Sequence, residues 1–231
     1  MADQANLYSF TVDIGTEAEP KKKIVSVKRP QARLTNRGEL FYNQQFTAAV
    51  KNEGLAPFTA LQKIVLNAGG FLDKERTDKY AELHGTARQL GEKLTELRLI
   101  EAPTQAEQEA LTETMKQFIS VKYSLSEFED SNADVFGRSA EAYARTRSVL
   151  FYIFNCTTVR DEAEGSLEVP MFAGTKFEEQ LDAYFKAIDD ADPVYAKSIE
   201  KLTSVITYWY VTGVSDIEEV RKHVEATSEA S

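Results

Sequence analysis

The chain has 231 residues, 42% hydrophobic and 28% charged, which suits a packed globular core and excludes a disordered chain. Its longest apolar run falls far short of the roughly 20 residues that cross a bilayer, and residues 1–4 open no basic-then-apolar leader. Neither a membrane helix nor secretion through a signal peptide is therefore expected. The net charge of -10 is uneven: residues 161–231 hold 6 Lys/Arg against 16 Asp/Glu, repelling nucleic acid and anionic lipid, while residues 1–60 hold 8 against 6.

Residues 7–14 alternate with period two, placing Tyr8, Phe10, Val12 and Ile14 on one side and Ser9, Thr11 and Asp13 on the other. A turn-rich stretch at 15–20 and a second strand at 23–28 complete a predicted β-hairpin. Such a hairpin is seldom stable alone, so it packs on its own helices or on another chain. Lys21, Lys22 and Lys23, with Lys28, Arg29, Arg33 and Arg37, form the one basic patch. It either blunts an edge strand or contacts nucleic acid. Pro30 opens a predicted helix to about Asn52, with Leu40, Phe41, Phe46 and Val50 as its apolar stripe. Pro57 opens another at 58–66, closed by Gly69 and Gly70.

From Asp73, a predicted N-cap, a helix is expected to about Ile100. Tyr80, Leu83, Ala87, Leu90, Leu94 and Leu97 are spaced 3, 4, 3, 4, 3, a heptad seam. Ala102 and Pro103 break it, and Thr104 with Glu107 forms a capping box that starts a second long helix. The two make an antiparallel αα-hairpin over about 73–130, each arm roughly 35–40 Å long. It either packs as core or projects as a coiled-coil hairpin that binds a partner; an oligomer is compatible with both. Residues 127–132 are expected to hinge into a central helix at 139–159. That helix carries Phe151, Tyr152, Ile153 and Phe154, is apolar all round and so belongs inside a core. A buried strand competes for so short a run, but the helical pattern continuous from Ala140 favours the helix.

Further on, residues 167–172 are extended and kept off a central strand by Pro170. Thr175 and Glu178 suggest a capping box for a helix with Phe177, Leu181, Tyr184, Phe185 and Ile188 as its stripe. Asp192 and Pro193 are an N-cap and N1 pair for a helix carrying Ile199, Leu202, Val205, Ile206, Tyr208, Trp209 and Tyr210, expected to pack on the Phe151 region. Gly213 ends it, and Ser215 with Glu218 caps a last helix.

Chemical sites are few. Asp189, Asp190 and Asp192 lack the alternating ligands and terminal Glu of a calcium loop and serve as cap and linker. His84 and His223 have no zinc spacing. Cys156 cannot form an internal disulfide and reads as an inert core thiol. Asn155 heads a glycosylation sequon that burial in the central helix is expected to silence. No catalytic motif, metal or cofactor is expected.

Lys28-Arg29-Pro30, Glu39-Leu40-Phe41-Tyr42, Gly69-Gly70, Phe151-Tyr152-Ile153-Phe154-Asn155 and Tyr208-Trp209-Tyr210 resemble segments of small acidic helical proteins encoded by large tailed bacteriophages. The resemblance implies a virion component or assembly factor, located in the virion or host cytoplasm, and carries over no catalytic residues. The fold expected is mainly α: a multi-helix bundle around a buried aromatic helix, with the αα-hairpin and a short N-terminal β-hairpin. The expected segments are a β-hairpin at 1–29, a helical domain at 30–226 and a tail at 227–231. The expected role is non-enzymatic binding of other proteins through Tyr8, Phe10, Val12, Ile14, Lys21, Lys22 and Lys23. The alternative is a nucleic-acid-associated regulator using the basic patch. No membrane partner is expected.

Overall fold

The computed structural model describes residues 6–15, 21–67, 74–100, 102–163, 165–214 and 216–229. Its fold is mainly α. In chain order the elements are strands β1 (Asn6–Asp13) and β2 (Lys22–Lys28), then helices α1 (Ala32–Lys51), α2 (Phe58–Asn67), α3 (Lys74–Arg98), α4 (Gln105–Ser131), α5 (Ala133–Phe136) and α6 (Ala140–Cys156). Strands β3 (Thr157–Asp161) and β4 (Val169–Pro170) follow, then helices α7 (Phe177–Asp189), α8 (Pro193–Thr212) and α9 (Ile217–Glu229). Two compact units result: Met1–Asn43 together with Arg145–Ser231, and Gln44–Ala144. None of the described helices is long and apolar enough to cross a membrane.

The first unit is built on an antiparallel sheet of order β1-β2-β3-β4. Val12 pairs with Lys23, Phe10 with Val25, and Tyr8 with Val27; Val25 continues to Val159. Because side chains alternate across a strand, Val12, Val25 and Val27 share the face that meets the helices, and all three are buried. They join Phe151, Ile153, Phe154, Phe172, Leu202, Val205, Ile206, Val220 and Val224 in one core. Phe41 of α1 stacks on Phe151 with centroids 4.9 Å apart, and Trp209 meets Tyr152 edge-on at 4.8 Å. The expected packing of the Trp209 helix on the Phe151 region is thus present. Helix α8 begins where predicted, since the Asp192 carboxylate accepts from the amides of Val194 (2.8 Å) and Tyr195 (3.0 Å) and Pro193 needs no donor. It ends at Gly213, whose φ of 69° is left-handed.

The second unit contains the predicted αα-hairpin. Tyr80, Ala87 and Leu94 are buried along α3, with Leu83, Leu90 and Leu97 half-buried between them, so the seam faces α4 as its spacing requires. The Thr104 and Glu107 capping box is formed: the Glu107 carboxylate accepts from the Thr104 amide at 2.7 Å. That contact holds the Glu107 carboxyl below its usual range. At the other end Phe58, Tyr80, Leu125, Phe128 and Phe136 form a separate aromatic core, with Phe58 stacked on Phe136 at 3.6 Å. The amide of Phe58 at the start of α2 donates to Glu141 at 2.8 Å. The Gly69-Gly70 stop, the Asp73 cap and the Ser215 cap lie outside the described residues. The last helix starts with the Asp216 carboxylate accepting from the amides of Glu218 and Glu219.

Several expectations are corrected. The central helix stops at Cys156 rather than Val159, and residues 157–161 become β3. Thr157, Thr158 and Val159 are β-branched and find β2 waiting as a partner, so pairing overrides helical continuation. The hairpin therefore belongs to a four-stranded sheet. Of the hinge expected at 127–132, residues 127–131 stay helical and the break comes at Asn132 alone. Leu40 and Val50 are exposed on α1, while Gly38 and Ala49 are buried. Phe185 and Ile188 of α7 are likewise exposed. The carboxylate at the start of α7 is Glu179, not Glu178; it accepts from the Thr175 amide at 2.8 Å. Asn155 is exposed, so burial does not silence its sequon.

Candidate functional site

The predicted contact residues all lie on β1 or on the segment that returns from it. Val12 is buried, and Tyr8, Phe10 and Ile14 are half-buried against the core of the first unit. The apolar face of β1 is thus covered by its own chain, with α8 and α9 packed on it. Desolvation there is the main reason the Tyr8 phenol is pushed above its ordinary range, with Glu225 adding to it. Between Asn6 and Tyr8 the register shifts, and this bulge explains why Leu7 is fully buried although strict alternation would turn it outward.

The backbone edge of β1 differs from its face. Among the described residues, strand β1 is terminal in the sheet and is paired along one edge, with β2. The amide of Ile14 donates to Lys21 at 2.8 Å, which fixes the phase of the ladder. Counting back by twos, Val12, Phe10 and Tyr8 aim their amides at β2, whereas Asp13, Thr11 and Ser9 aim theirs away from it. Lys197 of α8 donates its Nζ to the carbonyl of Asp13 at 2.6 Å and closes that end of the edge. Among the described residues, no strand neighbours the stretch beyond it at Ser9 and Thr11.

The basic patch is divided. Lys23 pairs with Asp161 at 3.1 Å and Lys28 with Glu168 at 2.9 Å, so both lysines are engaged within the sheet. Hydrogen bonds from Thr158 and Lys28 hold the Glu168 carboxyl below its usual range. Lys21 and Lys22 are exposed. Lys197 and Lys201, also exposed, come from the acidic C-terminal third and lie along β1; the Lys201 Nζ sits 5.5 Å from the centre of the Phe10 ring. Lys197 and Lys201 thus accompany β1, whereas Lys21 and Lys22 stand at the start of β2, on its paired side. The sequence held Lys197 and Lys201 as an i,i+4 repeat on one helix, a signal masked by the surrounding carboxylates.

Cys156 is buried, and burial alone pushes its thiol up to about 12. Among the described residues, no three His, Cys, Asp or Glu side chains form a group able to hold a metal. Comparison with known proteins finds no matching family model, no matching curated protein and no matching solved structure.

Proposed function

We propose that this protein is a non-enzymatic binding component, and that it takes an acidic extended segment of another protein onto the outer edge of β1. The observation that carries this reading is the terminal position of β1 among the described residues, with the amides of Ser9 and Thr11 aimed away from β2 and Lys197 and Lys201 of α8 beside the strand. A sheet edge offers backbone donors and acceptors in register, and β-augmentation uses them for affinity. The lysines add charge complementarity and favour an acidic strand over a basic one. The resemblance to proteins of large tailed bacteriophages suggests a partner among virion or assembly components. The nucleic-acid reading is weakened because Lys23 and Lys28 are already paired with carboxylates.

Thr11→Pro tests the proposal. The amide of Thr11 points away from β2, so proline removes an outward donor without removing a bond of the sheet. We expect an unchanged melting temperature and loss of binding to acidic β-prone peptides, with basic versions of those peptides bound by neither protein. Equal binding by a folded Thr11→Pro variant would overturn the site. Retention on DNA that falls steeply with salt, without peptide binding, would favour the nucleic-acid reading instead.

A further inference from the structure

A second feature of the first unit lies apart from the strand edge. Gly38, Glu39, Tyr42 and Asn43 of α1, Tyr152 of α6 and Tyr210 of α8 line a cavity of about 320 Å³. That size is at the lower end for small-ligand sites. Half of the lining residues are tyrosines, and the one charged side chain among them is a carboxylate. Gly38 makes the arrangement possible, since a Cβ there would stand 2.0 Å from the Tyr152 hydroxyl oxygen. The missing side chain lets the Tyr152 ring reach the α1 backbone, where its hydroxyl faces the Thr35 carbonyl at 3.4 Å.

Tyr152 and Tyr210 have ring centroids 5.8 Å apart and planes inclined by 51°, so they form adjoining walls rather than a closed stack. Burial is the main influence on both phenols and keeps them protonated; Glu39 acts in the same direction. Neutral phenol rings keep the electron-rich faces that attract cations. Arg145 is near enough to Tyr210 to oppose the shift, but it does not line the cavity.

We propose that this cavity is an aromatic cage for a trimethylammonium group, either on a free quaternary amine or at the end of a methylated lysine. Such a cation has no N–H to donate and is recognised by ring faces and a nearby negative charge; the half-buried Tyr42 and Tyr210 and the exposed Glu39 supply these, over the buried Tyr152. An anion would be repelled by Glu39. A hard metal ion would find one carboxylate where it needs several oxygen ligands. The inference does not depend on the strand-edge proposal.

The test is a titration with choline, with a short peptide containing trimethyllysine, and with neohexanol, the uncharged carbon isostere of choline, followed by NMR shifts of the tyrosine ring protons. Choline or the peptide should bind saturably, and the tighter of the two identifies the source. Neohexanol should bind roughly three- to thirtyfold more weakly than choline. Glu39 is exposed, so Glu39→Gln should fold normally, weaken choline and leave neohexanol unchanged. Tyr42→Phe should retain binding and Tyr42→Leu should lose it. Equal binding of choline and neohexanol, or no saturable binding of either cation, overturns the proposal.

Discussion

Gly38 contributes by what it lacks. With a Cβ placed 2.0 Å from the Tyr152 hydroxyl oxygen and 2.4 Å from the ring carbon bearing it, Gly38→Ala forces the ring or the helix to move. We expect a loss of about 1–3 kcal/mol in urea unfolding, as for other overpacked cores. Tyr152→Phe should restore part of it in the double mutant, because the hydroxyl is the nearer obstacle; a full loss in the double mutant would mean the strain lies elsewhere. Cys156 makes a prediction about pH. Its thiol, ordinarily at 9.0, is pushed up to about 12 in the folded protein. Both states hold the proton at neutral pH, and above 9.0 the unfolded chain releases it first. Stability should fall with rising pH through that window, by at most about 1.4 kcal/mol per pH unit from this group. A Cys156→Ala variant, less stable overall, should show the shallower slope. The buried thiol was legible in the sequence because it sat in an apolar run. Gly38 was not, since a hydrophobic pattern registers side chains and is silent about a place that requires none.

Among the elements, the αα-hairpin was the most legible. Its seam spacing and capping box are local signals, and no distant partner competes with them. Leu94→Ala should destabilise the second unit by about 2–5 kcal/mol, measured by helical circular dichroism against urea, because Leu94 is only 4% exposed. A loss below about 1 kcal/mol would show that the seam repacks at little cost. The end of α6 was illegible for the opposite reason. Thr157, Thr158 and Val159 continue an apolar run, and their conversion to β3 depends on β2, far away in sequence. The outer stripes of α1 and α7 misled in a third way: Leu40, Val50, Phe185 and Ile188 keep helical spacing yet lie beyond the arc that meets the core. The strand edge was legible as a pattern of alternation, but the lysines of α8 beside it were not, because only the fold brings Lys197 to Asp13.

Among the described residues, two cores are distinct. Phe151 lies in one and Phe58 in the other, at 5% and 1% exposure. Each Phe→Ala change should lower stability by about 3–5 kcal/mol. The two clusters share no residue, so the double mutant should lose the sum within about 0.5 kcal/mol. Only the Phe151 change should alter the emission of Trp209, the single tryptophan, before unfolding begins. The sheet carries a further consequence, for synthesis on the ribosome. Strand β2 pairs with β3, and β1 is covered by α8 and α9, the last described helices. At roughly 5–20 residues per second, the nascent strands emerge and then wait on the order of ten seconds for the partners that enclose them. Gln44–Ala144, contiguous in the chain, needs no such delay. Strands β1 and β2, which emerge ahead of all these partners, are therefore enclosed late, and a holding chaperone has its best opportunity there.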